Sequence, residues 1–102
     1  MAKGYWIERV DVSDMEAYQQ YVQVNAAPYA QFNARVLVRG GEQEVPEGTA
    51  RSRNVVIEFD SYQAALDCYH SSEYQSAKAL RADAAESDLV IIQGYAGNQP
   101  GD

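Results

Sequence analysis

The sequence has few of the residues that form covalent links and metal centres. It holds one cysteine, Cys68, and one histidine, His70. A single cysteine cannot close a disulfide within the chain, and a structural zinc site needs four nitrogen or sulfur ligands. We therefore expect no disulfide, no metal site and no cofactor. Nothing in the cysteine content indicates an oxidising compartment.

Positive charge and long apolar runs are also scarce. The 102 residues include 8 basic and 15 acidic side chains, which gives a formal net charge of −7. Such a surface repels phosphate, so nucleic acid and anionic membranes are poor partners. The chain lacks the apolar run of about 18 residues that a membrane span requires, and its first residues do not resemble a signal peptide. We expect a cytoplasmic protein with a single domain.

Strand and helix patterns alternate along the chain. The content of β-branched and aromatic residues predicts strands at about residues 4–12, 34–39, 53–59 and 88–93. Helices are predicted after a capping box at Ser13, after Asp60 and again after Ser72. Gly40 and Gly41 predict a tight turn, with a short return strand at residues 42–45.

This order, β-α-β-β-α-β with the second helix in two pieces, predicts an α+β, ferredoxin-like sandwich. The first and third strands would be central in an antiparallel sheet, with the helices on one face. Val55, Ile57 and Phe59 share one face of their strand, while Val56 lies on the other. Because the helices cover one face only, we expect a second copy of the chain to cover the other, giving a homodimer through sheet faces. The domain is predicted to span residues 1–95, with a disordered tail at 96–102.

Several segments resemble the bacterial domain-of-unknown-function family numbered 1330. They are Gly4-Tyr5-Trp6-Ile7, Arg39-Gly40-Gly41, Val55-Val56-Ile57-Glu58-Phe59, Cys68-Tyr69-His70-Ser71, Glu73-Tyr74-Gln75 and Ala77-Lys78-Ala79-Leu80-Arg81. That family belongs to the dimeric α/β-barrel superfamily. The resemblance implies a ferredoxin-like monomer whose sheet packs on the sheet of its partner, and it supplies no catalytic residue.

Five side chains are candidates for a ligand site: Asn25, Arg39, Glu58, Tyr69 and His70. Asn25 interrupts the apolar stripe of the first helix, where it either caps the chain near Pro28 or meets a ligand. Glu58 interrupts a central strand and either pairs with Arg39 or contributes to a polar site. Glu8 on the first strand presents the same two alternatives.

His70 lies at the break between two helices, where a helix-end role is favoured over a general base or a heme ligand. A small-molecule site is predicted where this break approaches the strands that carry Arg39 and Glu58. Arg39 would bind an anion and Tyr69 would supply an aromatic wall, which suits an aromatic or carboxylate metabolite.

Two classes of function therefore remain open, and no catalytic residue is assigned. One is cofactor-free binding or transformation of such a metabolite, and the other is a non-enzymatic structural or regulatory dimer. A heme-degrading enzyme is a third alternative, because superfamily members of that kind use an Asn, a Trp and a His, and this chain has Trp6 and His70.

Overall fold

The computed structural model describes residues 2–102 and shows an α+β fold of the ferredoxin-like type. The strands are β1 (Gly4–Val12), β2 (Arg35–Arg39), β3 (Arg53–Phe59) and β4 (Ala85–Gln93). The helices are α1 (Met15–Val24), α2 (Ala26–Gln31), α3 (Tyr62–His70) and α4 (Ser72–Ala79). The sheet order is β2-β3-β1-β4 and all neighbours are antiparallel. The prediction that β1 and β3 are central is confirmed.

The helix caps differ by one residue from those predicted. The observed caps are Asp14 for α1, Ser61 for α3 and Ser71 for α4. In each case the side chain accepts a hydrogen bond from the backbone amide three residues further on, as an N-cap should. Asp60 does not cap α3 because its carboxylate accepts hydrogen bonds from Asn33 and Arg35 instead.

The loop between β2 and β3 is irregular from Gly41 to Ser52, so the predicted return strand at residues 42–45 is wrong. This stretch is rich in glutamate, which is unfavourable in strands. Gly40 and Gly41 have φ values of +70° and +94°, the left-handed conformation that the predicted turn requires.

An aromatic core fills the space between the sheet and the helices. The indole Nε1 of Trp6 donates a hydrogen bond of 2.9 Å to the carbonyl of Ala65. The rings of Tyr29, Phe59, Tyr69 and Tyr74 have their centroids between 4.8 and 5.9 Å from that of Trp6. Aromatic packing of this density gives the helices a fixed position over the sheet.

The opposite face of the sheet is open. Ile7 on β1 is 43% exposed, and Val90 and Ile92 on β4 are 54% and 47% exposed. On β3 the buried residues alternate with the half-buried Val56, so the prediction of apolar side chains on both faces is confirmed. Across residues 2–102, the structure contains no helix with the length and apolar character of a membrane span.

Candidate functional site

A polar cavity lies under α1 and α2, on the helix-facing side of β2 and β3. Its volume is about 20 Å³, which is large enough for one water molecule. Its polar lining includes Glu8, Tyr18, Asn25, Tyr29, Arg39 and Arg53. The cavity thus runs from the β2 edge inward to the central strand β1.

Glu8 reaches the cavity from β1, where it is 5% exposed between Trp6 and Val10 on the helix-facing side. Its Oε2 lies 3.4 Å from Nη2 of Arg81, yet it accepts no hydrogen bond from residues 2–102. Burial raises the pKa of the Glu8 carboxyl, and the charges of Arg81 and Arg53 only partly oppose this effect. A buried acceptor in this state costs free energy unless a ligand or water supplies a donor.

Asn25 lies at the junction of α1 and α2 and is 4% exposed. The interpretation of its side chain as a cap is wrong, since the side chain makes no capping hydrogen bond. The reason is the helical backbone at Asn25, with φ −70° and ψ −12°, whereas a capping side chain normally needs an extended residue. Among the described atoms, its buried Oδ1 also has no hydrogen-bond donor.

A bulge in β2 brings Arg39 to the cavity. Val36 pairs with Ile57 and Arg39 pairs with Val55, so three residue steps on β2 match two on β3. The extra residue places both Val36 and Arg39 on the helix-facing side, where strict alternation would separate them. The exposed guanidinium of Arg39 therefore lies at the cavity rim.

Arg53 brings a second guanidinium to the cavity, and it lies 5.6 Å from the ring centroid of Tyr18. Gly40 makes room for it, because a Cβ atom at Gly40 would lie 2.8 Å from Nη1 of Arg53. Two guanidinium groups at one cavity are suited to binding a carboxylate or another anion.

Behind the cavity, Arg81 connects Glu8 to a buried polar network. This arginine is 6% exposed and follows α4. It donates to Oγ of Ser87 at 3.2 Å and to the hydroxyl of Tyr74 at 3.5 Å, and that hydroxyl lies 2.8 Å from the hydroxyl of Tyr21. Arg81 is not among the site residues predicted from the sequence. Its only signal was Glu8 itself, since a carboxylate between core residues requires a buried cation from another element.

Glu58 lies on the open face of the sheet, so its suggested pairing with Arg39 is wrong. Its Oε1 accepts a hydrogen bond of 2.9 Å from Nε of Arg35, and its Oε2 accepts one of 2.9 Å from the hydroxyl of Tyr5. Both hydrogen bonds lower the pKa of the Glu58 carboxyl, and the one from Arg35 has the larger effect. Arg39 points to the other side of the sheet and cannot replace Arg35.

Tyr69 and His70 lie in an open groove along β4, together with Lys78 and Arg81. Since β4 and β2 are opposite edges of the sheet, about three strand spacings, or ~14 Å, separate them.

The structure therefore brings Asn25 and Arg39 together in the cavity, but it does not bring Tyr69, His70 or Glu58 to the same place. The predicted single site of five residues does not form.

Solved structures with this fold come from several bacteria. A protein of unknown function from Rhodopseudomonas palustris has 16% identity and a TM-score of 0.74, over 94% of this chain and 85% of that one. SnoaB from Streptomyces nogalater, a cofactor-independent oxygenase, has 10% identity and a TM-score of 0.65 over the whole of both chains. A dimeric protein of unknown function and ferredoxin-like fold from Bacteroides fragilis has 16% identity and a TM-score of 0.61, over 89% and 95% of the two chains.

At these identities the likeness establishes the fold and not the activity. No curated protein matches the sequence. The family profile described as "Domain of unknown function (DUF1330)" matches residues 3–95, which is nearly the whole chain, and the protein therefore belongs to this family.

Proposed function

We propose that this protein is a homodimer whose protomers each bind or transform a small aromatic or carboxylate metabolite in the polar cavity, without a cofactor. The observation that carries the proposal is the pair of buried acceptors, Oε2 of Glu8 and Oδ1 of Asn25, which accept no hydrogen bond from residues 2–102; Glu8 has only the ion pair with Arg81, at 3.4 Å. Each such group costs about 1–3 kcal/mol if nothing pairs with it. A ligand with hydrogen-bond donors, entering from the mouth, would remove this cost.

The lining of the cavity indicates the chemistry of the ligand. Arg39 and Arg53 favour an anionic group, and the rings of Tyr18 and Tyr29 favour a flat, aromatic body. The cavity volume of about 20 Å³ is far below about 300 Å³, the lower end of the usual range for ligand sites, so a ligand requires the exposed side chain of Arg39 to move outward. A small ligand would place a polar group in this space and its ring at the rim, where Arg39 lies.

The open face of the sheet supports the dimer. Ile7, Val56, Val90 and Ile92 form an apolar patch on this face, and monomeric proteins rarely leave large patches of this kind in water. Packing two such sheets together would bury about 800 Å² on each partner in an interface of standard size. The described dimeric state of the Bacteroides fragilis protein is consistent with this arrangement.

A structural or regulatory dimer is the second candidate. The observation that favours it is the small volume of the cavity, about 20 Å³, since one ordered water there could donate to both Glu8 and Asn25. In that case the cavity would be a hydrated part of the core, and the sheet face would be the functional surface.

Titration of ¹⁵N-labelled protein with benzoate and 4-hydroxybenzoate, followed by two-dimensional NMR, separates the two candidates. We expect shifts of the amides around the cavity, and Arg39→Gln should weaken binding because it removes one guanidinium. Lys78→Gln is the matched control, since it removes a cation from the groove along β4. Loss of binding in Lys78→Gln alone would place the ligand in that groove and contradict the cavity site. An absence of shifts with any small aromatic acid would favour the structural dimer.

Light scattering tests the dimer separately. Ile7→Glu places a charge on the central strand of the open face and should give the mass of a monomer, because a dimer would bury an unpaired carboxylate from each protomer. Met15→Glu is the control, since it adds the same charge at an exposed position on the first turn of α1. A monomer mass for the wild-type protein at micromolar concentration would refute the dimer.

A further inference from the structure

We propose that Glu8 is the proton acceptor for a hydroxyl group of the ligand, so that the cavity selects phenols or enols and holds them as anions. This inference rests on the proposed function of the cavity as a small-molecule site. It adds the chemical class of the ligand and the role of one residue.

Glu8 is the one group of suitable basicity among the described residues that line the cavity. The guanidinium groups of Arg39 and Arg53 have no acceptor atom and can only donate hydrogen bonds. Burial raises the pKa values of Tyr18 and Tyr29, so their hydroxyls stay protonated. The amide of Asn25 can accept a hydrogen bond but is not a base. A proton that leaves a ligand in this cavity is therefore expected to reach Glu8.

The surrounding charges match such a transfer. Arg81 approaches Glu8 from the segment after α4, Arg53 faces it from β3, and the hydroxyl-bearing rings of Tyr18 and Tyr21 face it from α1.

When the O–H bond of the ligand breaks, the electron pair stays on its oxygen and the proton moves to a carboxylate oxygen of Glu8. The total charge of the cavity is unchanged, because one negative charge moves from Glu8 towards Arg53 and Arg39.

The location of Glu8 also favours the transfer over simple hydrogen bonding. A solvated glutamate has a pKa near 4, and a phenol has one near 10, so the transfer is strongly uphill in water. Burial raises the pKa of Glu8 and reduces this difference, while the two guanidinium groups stabilise the phenolate.

A further consequence is discrimination against ethers. A ligand that has a methoxy group in place of the hydroxyl has no proton to transfer to Glu8, and it adds a methyl group where the cavity volume is only about 20 Å³. We expect such a ligand to bind at least about tenfold more weakly than the phenol.

Absorbance titrations with 4-nitrophenol and 4-nitroanisole test the inference, since 4-nitrophenolate absorbs at longer wavelength than the neutral phenol. In buffer below the pKa of free 4-nitrophenol, wild-type protein should produce the phenolate band, and 4-nitroanisole should bind weakly. Glu8→Gln should abolish the phenolate band, and Glu8→Asp, which keeps the carboxylate, should restore part of it. Glu16→Gln is the matched control, because Glu16 is exposed on α1.

The possible outcomes separate this inference from the proposed function. Binding of 4-nitrophenol by wild-type protein as the neutral phenol, or equal binding of 4-nitroanisole, would overturn the role of Glu8 and leave the cavity as a ligand site. A phenolate band that persists in folded Glu8→Gln would also overturn it. If neither compound nor any small aromatic acid binds, the proposed function fails together with the inference.

Discussion

Replacement of Arg81 by methionine is expected to destabilise the protein in a way that depends on pH. Arg81 is 6% exposed, and its Nη2 lies 3.4 Å from Oε2 of Glu8. It also donates hydrogen bonds to Ser87 and Tyr74. Methionine is flexible and unbranched and can fill much of the space of the arginine stem, so the substitution chiefly removes the charge and the hydrogen bonds.

The expected loss is large compared with the stability of a small domain. Removal of one partner from a buried ion pair costs about 3–5 kcal/mol, whereas small domains have about 5–15 kcal/mol in total. The loss should shrink as the pH falls. Burial already raises the pKa of folded Glu8 in the wild type, and loss of Arg81 removes an opposing charge, so the folded-state pKa of Glu8 is higher in Arg81→Met than in the wild type. As the pH falls from the folded-state pKa of the variant to that of the wild type, the destabilisation should fall by about 1.4 kcal/mol for each pH unit.

Urea unfolding followed by circular dichroism measures this effect, with protein concentration held constant because the stability of the proposed dimer would depend on it. Curves for Arg81→Met and wild type should be compared at mildly alkaline and mildly acidic pH. Lys78→Met is the control, since Lys78 lines the same groove but is only partly buried, and it should change stability by no more than about 0.5 kcal/mol. A loss below about 1 kcal/mol at both pH values would refute the dependence of Glu8 on Arg81.

Three further predictions concern the cavity and the core. Glu8→Gln should gain stability relative to the wild type as the pH rises above the ordinary glutamate pKa, because only the wild type must ionise a buried carboxyl with a raised pKa. A difference in unfolding free energy that does not change with pH would contradict this prediction. Gly40→Ala and Gly41→Ala should each lose about 1–2 kcal/mol in urea unfolding, because both residues have positive φ. The Cβ at position 40 would lie 2.8 Å from Nη1 of Arg53, but this flexible side chain can move away, so a much larger loss in Gly40→Ala than in Gly41→Ala would contradict the prediction. Burial raises the pKa of the Cys68 thiol to about 12. An aromatic disulfide reagent should therefore react with Cys68 only as fast as the protein unfolds. Rapid reaction in native buffer would refute the burial of this thiol.

The fold follows from local patterns in the sequence. The strand around Val55 and Ile57 was predicted with correct bounds, because a short β-branched run with two-sided apolar character is a strong signal. The helix caps were displaced by one residue, since neighbouring Ser and Asp side chains are almost equally good caps. At Asp60, a long-range contact with Arg35 decided between them.

The site could be predicted only in part. Asn25 and Glu8 were recognisable as polar residues within apolar patterns, and the structure places both at the cavity. The position of Arg39 could not be derived, because a bulge in β2 reverses the side of the sheet on which it lies, and no pattern in a five-residue strand announces a bulge. Tyr69 and His70 were misplaced for a different reason, since their distance from Arg39 depends on the strand order across the whole sheet.

The sequence by itself thus determined the elements, their order and the apolar character of both sheet faces, because periodicity and capping act between residues that are close along the chain. Only the tertiary structure decided that Glu58 pairs with Arg35 on the open face and that Glu8 meets Arg81 in the core. These contacts join residues 23 and 73 positions apart. They are set by strand register and by the packing of α4 on the sheet, which are properties of the assembled core and of no single segment.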